Sequence, residues 1–261
     1  MKLFTLNTHS LIEDHSEEKL IQTSLWILKN QPDIIALQEV NQSIVSPLVY
    51  KNIRSDNYAY QLNRLLSNNG LQYEWVWIPI KLGYGKYDEG LAIFSKFPIK
   101  KIENILLSKV DDYTNWKTRR ALGIQCEIGQ ESAWFFTVHM GWWNDEEEDF
   151  STHWSNLETC LNRKKENIYL LGDFNSEDSV RNEGYDLITS KGWYDLYQNA
   201  KYRDQGYTVK GKIDGWKDTM CKKRIDYIFS NQESKVQKHQ TVLNGIDGPI
   251  VSDHYGIYVE E

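Results

Sequence analysis

The residues best suited to chemistry in this chain stand where apolar runs stop. The clearest case is Leu171-Gly172-Asp173-Phe174-Asn175-Ser176. Ile168 to Leu171 is continuously apolar and reads as a buried strand. Asp173 and Asn175 follow, two residues apart, and in extended chain such side chains leave on the same side. A carboxylate placed there can bind a hard cation or polarise a water, and an amide beside it can hold an oxygen through its N–H groups. The plain alternative is an Asx turn closing a strand, and the motif alone does not choose. The pattern recurs, however, at Asn7, Glu39, His139, Asp226 and the pair Asp253/His254. Such recurrence predicts one edge of a sheet structure where strand ends converge, the usual place for a site.

The elements that would carry these residues can be read in order. Lys2 to Leu6 is a short strand before Asn7-Thr8-His9-Ser10, and Asp33 to Leu37 is a second before Gln38-Glu39-Val40. Between them a helix spans Ser16 to Asn30, with Ser16 as N-cap, Ile21, Leu25 and Leu28 as its apolar stripe, and Pro32 as its stop. A second helix covers Asn57 to Asn69, with Tyr58, Leu62, Leu65 and Leu66 on one face. Tyr73 to Ile80 reads as a strand, and Leu82 to Asp88, rich in Gly and Tyr, as a flexible loop. Strands follow at 89–95, 102–107, 120–128 and 133–139. After the acidic run Asp145 to Asp149, Phe150, Trp154, Leu157 and Leu161 keep helical spacing. The run itself reads as a solvated helix N-terminus whose negative charge would repel DNA. A helix at 183–191, a long polar loop at 198–222 and strands at 224–229, 236–243 and 255–259 complete the chain.

Composition narrows the classes. The 261 residues contain no Pro/Ser/Gly-rich linker and no internal repeat, so one domain, 1–261, is expected. The net charge of −7 disfavours a ligand held through its phosphate backbone, and no basic stripe offsets it. Three widely spaced cysteines, Cys126, Cys160 and Cys221, form no zinc pattern and fit reduced thiols. The N-terminus has no long apolar leader, and no stretch has the length of a membrane span, so a cytoplasmic protein without membrane contact or obligate protein partner is expected. Ten Trp and sixteen Tyr exceed what a core requires and suggest aromatic faces lining a site.

The motifs LNTHS (6–10), ALQEV (36–40), DEGLAIFSKFPI (88–99), TVHMG (137–141), LLGDFNS (170–176), RIDYIFS (224–230) and SDH (252–254) each say little. In this order, spread over nearly the whole chain, they resemble the endonuclease/exonuclease/phosphatase superfamily, which includes deoxyribonuclease I, apurinic endonucleases, neutral sphingomyelinases and inositol phosphatases. The resemblance implies an α/β fold, a four-layer α/β/β/α sandwich of two packed mixed sheets with helices outside. It implies a Mg²⁺ site, with Mn²⁺ as a substitute, built on Glu39 with Asn7 and Asp253 near or on the metal. By the same resemblance Asp173 orients or deprotonates the attacking water and Asn175 steadies it. His254, held by Asp226, contacts phosphoryl oxygens or shares the acid–base work. His139 stabilises the transition state from the other side, with Glu89 orienting it. Arg119 or Arg120 binds phosphate, Arg119 being preferred. This set supplies the charge neutralisation, positioned water and leaving-oxygen stabilisation that phosphoester hydrolysis needs.

Other candidates carry plainer readings. His9 reads as a structural hydrogen-bonding residue beside Asn7, and His15, His153 and His239 as surface residues. Tyr84 and Tyr87 divide evenly between loop aromatics and substrate contacts. Trp142 and Trp143, next to His139, suit the apolar faces of sugar rings, with Trp116, Trp193 and Trp216 elsewhere; for any single Trp, core packing is the simpler reading. HMGWWNDEEEDF, with LNTHS and ALQEVNQSI, resembles the bacterial branch of the superfamily formed by maltose 6′-phosphate phosphatases. That resemblance implies a phosphomonoesterase acting on a small phosphorylated sugar by direct attack of water. The alternatives are a phosphodiesterase, either endonuclease or sphingomyelinase-like, and a binding module that has lost its metal set.

Overall fold

Two faces of apolar side chains on the central strands dictate the architecture. Along Ile168 to Leu171, Ile168 and Leu170 join one buried cluster while Tyr169 and Leu171 join another; Leu3 and Phe4 divide the same way. A strand apolar on both sides needs cover on both sides. The computed structural model describes residues 1–211 and 222–261 and provides that cover with two stacked sheets flanked by helices.

The strands are β1 (Lys2–Asn7), β2 (Ile34–Ser43), β3 (Leu48–Tyr50), β4 (Ile53–Arg54), β5 (Glu74–Gly83), β6 (Tyr87–Ser95), β7 (Ile99–Leu106), β8 (Arg120–Ile128), β9 (Glu131–His139) and β10 (Asn167–Asp173). They continue with β11 (Tyr194–Asp195), β12 (Ala200–Arg203), β13 (Val209–Lys210), β14 (Lys222–Lys223), β15 (Asp226–Ser230), β16 (Val236–Val242) and β17 (Gly256–Glu260). The helices are α1 (Ser16–Asn30), α2 (Tyr58–Asn68), α3 (Phe150–Leu161) and α4 (Gly184–Ser190). One sheet has seven strands in the order β12-β16-β17-β1-β2-β6-β5, and the other six in the order β11-β15-β10-β9-β8-β7. Both are mixed: β1 runs parallel to β2, and β9 to β10, among antiparallel neighbours. Leu3, Ile34 and Ile93 of the first sheet meet Ile124, Phe135 and Leu171 of the second in the central core. Phe4, Leu37 and Phe94 bury the other face of the first sheet with Ile27 of α1 and Leu62 of α2. Phe136, Leu170 and Phe229 do so for the second with Trp154 of α3 and Ile188 of α4. The layers are therefore α/β/β/α, as the motif order implies.

Several local expectations need correction. α1 begins at Ser16, with His15 in the left-handed region at the cap, and it buries Thr23, Ser24, Trp26 and Ile27 while Ile21 and Leu25 are exposed. The short side chain at Thr23 lets α2 approach closely, and the Tyr58 hydroxyl donates to Thr23 Oγ1 at 3.3 Å. Trp26 packs edge-on to Tyr258. Close approach and one indole thus override the aliphatic stripe. Residues 82–88 are no loop: β5 and β6 pair as far as Gly83↔Tyr87, and Tyr84 (φ 51°) and Gly85 (φ 67°) make the tight left-handed turn a hairpin prefers. The described part of 198–222 contains β12 and β13; Trp216 and Cys221 lie outside the described residues. The acidic run is not simply solvated. Asp145 pairs with Lys117 at 2.9 Å, Glu148 is buried and accepts from the Lys109 backbone N–H, and Asp149 caps α3. Among the described residues, no helix is long and apolar enough to cross a membrane.

His153 and His239, read as surface residues, are buried. The His153 ring accepts from the Gly141 backbone N–H at 3.2 Å and faces Glu148. His239 sits edge-on to Tyr197, and neither ring nitrogen has a hydrogen-bond partner. Burial, then the charges of Arg224 and Arg203, depress its pKa to about 3. The fold accepts only the neutral ring, whereas the unfolded chain takes up a proton below the ordinary value of 6.5. Stability contributed by His239 is therefore complete above that value and falls as pH drops from 6.5 towards 3, by at most about 1.4 kcal/mol per pH unit. Denaturant titrations at stepped pH should show a shallower acid-side loss for His239→Leu than for wild type; identical slopes would show that this ring is not protonated on unfolding.

Candidate active site

The site begins with a distortion in β2. Leu37 pairs with Ala92 and Val40 with Gly90, so Gln38 and Glu39 together oppose one residue of β6. Glu39 lies in the left-handed region (φ 51°), an uncommon conformation for a residue with a side chain. What holds it there is the LNTHS segment. Its carbonyl accepts from Ser10 Oγ at 2.8 Å and Thr8 Oγ1 at 3.1 Å, while Ser10 Oγ accepts from the Asn41 backbone N–H. Glu39 is thus not at a strand end, as its position after DIIAL suggests, but on a bulge inside a longer strand.

Register places the second half. Asp173 is paired with His139 on one side, in parallel β9, and with Asp226 on the other, in antiparallel β15. Directly paired residues share a face. Asp226 opens its strand where Asp173 closes one, because antiparallel neighbours bring a start beside an end. Gly172 (φ 144°) makes the close pairing with β9 possible, since a Cβ there would lie 2.1 Å from the Val138 carbonyl oxygen. Ser252 Oγ donates to the Asn7 carbonyl at 2.8 Å and accepts from the His254 N–H, bringing the SDH segment to the same edge.

The two sheets meet at Asn7. Its buried amide nitrogen donates to Glu39 Oε1 at 2.9 Å and to Asp173 Oδ2 at 3.1 Å. Its oxygen accepts from the His9 N–H. Asn7 is thus a clamp between two carboxylates. Asp173 Oδ1 accepts from the Asn175 backbone N–H at 2.8 Å, and Asn175 Nδ2 donates to the Met140 carbonyl. His254 Nδ1 lies 2.9 Å from Asp226 Oδ2, and its Nε2 is 3.8 Å from Asp173. His139 Nε2 is 3.6 Å from Asp173 and its Nδ1 4.0 Å from Glu39. Glu89 makes no hydrogen bond to His139; it pairs with Lys81 at 3.1 Å.

Electrostatics separates the two histidines. Burial, then Arg119, Lys81 and His254, hold the His139 pKa well below the ordinary value, so this ring is neutral. Burial would also lower His254, but Asp226, Asp173 and the hydrogen bond to Asp226 outweigh it and hold that ring protonated. Burial, then Asp226, pushes the Asp173 carboxyl up. Burial, then the like charges of Glu89 and Asp253, does the same at Glu39. Carboxylates that repel one another in a cleft and offer only oxygen fit a hard divalent cation. Glu39 and Asp253 would hold it, with Asn7 fixing Glu39. His9, read from sequence as structural, lies at its edge, 2.7 Å from Glu13 and 3.9 Å from Asp253.

Glu39, His139, Asp173, Asn175, Asp253 and His254 line a cleft of about 450 Å³ with Lys81, Tyr84, Trp116, Arg119 and Trp142, while Asn7 and Asp226 stand behind it. Of the adjacent arginines, Arg119 faces it, its guanidinium held by the carbonyls of Trp116, Thr118 and Met140 and paired with no carboxylate among the described residues. Arg120 turns away to Asn104 and Asp111 and is no part of the site. Trp142 lines the cleft with Trp116, ring centroids 5.8 Å apart, whereas Trp143 packs on Phe150 in the outer core, which removes it from the expected sugar contacts. Sequence reading gave Lys81 no role. The one available signal was a lone lysine in an otherwise apolar strand, EWVWIPIKLG.

A family model described as "Endonuclease/Exonuclease/phosphatase family" matches residues 5–254. No curated protein matches the chain. Among solved structures, an endonuclease/exonuclease/phosphatase family protein from Leptotrichia buccalis C-1013-b is similar, at 35% identity and TM-score 0.92, over 100% of this chain and 98% of that one. A mannosyl-6-phosphatase from Bacteroides thetaiotaomicron VPI-5482 superposes at TM-score 0.69 with 20% identity, covering 100% and 98% of the two chains. TDP2 from Caenorhabditis elegans does so at TM-score 0.63 with 17% identity, covering 99% and 73%. The last two are likenesses of fold.

Replacing Asn7 by Ala strips the buried Asp173 and the half-buried Glu39 of their shared donor. The expected cost is about 1–3 kcal/mol of stability. A melting temperature equal to that of wild type would show that the amide does not join the sheets.

Proposed function

The chain belongs to the endonuclease/exonuclease/phosphatase family, and from that premise we propose that it is a Mg²⁺-dependent phosphomonoesterase acting on a phosphorylated sugar, maltose 6′-phosphate first among them. Members of this family are generally hydrolases of phosphoesters that depend on divalent metal. The observation that carries the finer reading is the composition of one cleft: hydrolytic groups at its floor, the indoles of Trp116 and Trp142 with Tyr84 among its walls, and about 450 Å³ between them. Flat aromatic faces suit the apolar faces of sugar rings. The fold neighbour named a mannosyl-6-phosphatase supports the same class.

The proposed reaction is in-line attack of water on phosphorus, with cleavage of the bond to the sugar oxygen, which takes a proton from solvent and leaves as the free hydroxyl, and release of inorganic phosphate. When bound at Glu39 and Asp253, the cation supplies charge neutralisation and lowers the pKa of bound water. Asp173, its carboxyl made more basic by burial, accepts the proton of the attacking water. Its two oxygens are fixed by the Asn175 and Asn7 N–H groups, so the remaining lone pairs have a set direction. His254 is kept cationic by Asp226 through Nδ1 and offers Nε2–H to a phosphoryl oxygen. His139, neutral, completes the opposite wall. Arg119, with no carboxylate partner among the described residues, receives the phosphoryl group.

Phosphate release should be measured with maltose 6′-phosphate, glucose 6-phosphate, trehalose 6-phosphate, nucleotides and sphingomyelin, with Mg²⁺, Mn²⁺ or EDTA, and plasmid nicking in parallel. Release from a sugar phosphate, abolished by EDTA and by Glu39→Gln, is the expected result; nicking without phosphate release would replace this reading with a phosphodiesterase. Trp116→Ala should raise KM for the disaccharide phosphate about tenfold and leave p-nitrophenyl phosphate nearly unchanged. Equal losses on both substrates would remove the indole from the sugar subsite.

A further inference from the structure

We propose that Lys81, held by Glu89, is a substrate-binding residue that takes the extra charge of a phosphate monoester and thereby selects monoesters over diesters. The inference rests on the phosphomonoesterase reading and deepens it.

Lys81 lies on β5 and is almost fully buried, yet it lines the catalytic cleft and not the core. It pairs across the sheet with Glu89 of β6, beside an irregularity between Pro79 and Lys81, and its Nζ is 3.1 Å from Glu89 Oε1. Glu89 is in turn seated over Gly83: a Cβ there would fall 2.9 Å from Glu89 Oε2. The carboxylate is thus trapped between a glycine and the ammonium, and the ammonium is fixed at the wall of the cleft. As a device for stability this is poor, because a buried ion pair seldom repays its desolvation. Placing a second cation near Arg119 makes it poorer still: burial, then Arg119, pulls the Lys81 pKa down, and Glu89 and Glu39 oppose the shift. Two cations held near one another in a cleft suit an anion carrying more than one charge.

The cleft carries both signs. Glu39, Asp253 and Asp173 supply carboxylates, and Lys81, Arg119 and His139 line the same space. A phosphoryl group seated between them presents three non-bridging oxygens in a monoester dianion. A diester has two, one negative charge, and an ester arm in the third place. An ammonium near that third oxygen rewards the dianion and meets carbon in the diester. Arg119 serves both substrates.

The test compares wild type with Lys81→Met, in Mg²⁺ buffer, on maltose 6′-phosphate, p-nitrophenyl phosphate and bis-p-nitrophenyl phosphate. Inorganic phosphate affinity is read separately from the rise in melting temperature. The monoester kcat/KM should fall about ten- to a hundredfold and phosphate affinity by a similar factor, with diester hydrolysis little changed. Lys81→Arg should recover part of the loss. Because Lys81→Met leaves Glu89 unpaired, Lys81→Met/Glu89→Gln is measured as well, and its phosphate affinity should stay low. Wild-type phosphate affinity in the double variant, or an unchanged monoester-to-diester ratio in a folded single variant, would overturn the assignment and leave Lys81 as a neutraliser of Glu89. If wild type cleaves diesters alone, the phosphomonoesterase reading itself fails; monoester cleavage with unaltered phosphate affinity in Lys81→Met fails the lysine only.

Discussion

At the site, one amide ties the two halves of this protein together. Asn7 donates to Glu39 on its own sheet and to Asp173 on the other, and both acceptors are carboxylates. Charge-assisted hydrogen bonds of this kind are stronger than neutral ones, and losing the donor would expose two like charges to each other. The arrangement fixes the distance between what would hold a cation and what would activate a water. The shared core of Ile, Leu and Phe side chains supplies few directional bonds; Asn7, with the buried hydrogen bonds from Gln38 to Thr137 and from Thr137 to the Leu37 carbonyl, gives that interface a register.

The rest of the edge serves this contact. Glu39 reaches Asn7 only because β2 carries an extra residue and turns through a left-handed conformation, and Thr8 and Ser10 satisfy the carbonyl that the bulge frees. Asp173 reaches it only because Gly172 lets β10 lie against β9 without a side chain in the way. Strain at one partner and a missing side chain at the other are local costs, offset by the hydrogen bonds that converge there. Roles are therefore divided within LNTHS: Asn7 holds Glu39 and Asp173 by their side chains, and Thr8 and Ser10 hold the backbone of the bulge.

How much of this was legible varies with the physics involved. The layer order follows from runs such as Ile168 to Leu171, because a strand apolar on both faces admits few solutions. The catalytic edge was visible because polar residues that end such runs stand out. What sequence could not give is anything set by direction at a single residue. Arg119 and Arg120 are adjacent and chemically alike; Arg119 stands just before β8 and faces the cleft, and Arg120 opens that strand and turns to Asp111. Trp142 and Trp143 divide the same way. α1 exposes Ile21 and Leu25 because Thr23 and Trp26 decide how it sits on α2 and β17. Lys81 carries no motif at all, and its interest arises from Glu89 and Gly83 beside it.

The roof of the cleft is built differently from its floor. Trp116 rides on a segment tied down by Lys117 to Asp145 and Glu147, and by Lys109 to Glu147, Glu148 and Asp149. Nothing in those ties reaches Asn7, Glu39 or Asp173. Exchanges within 109–117 or 145–149 therefore act on the upper surface and on Arg119, whose guanidinium the Trp116 carbonyl holds, and leave the contacts among Asn7, Glu39 and Asp173 in place. In evolutionary terms, two surface loops can vary the rim of the cleft while Asn7, Glu39 and Asp173 keep the hydrogen bonds that join them.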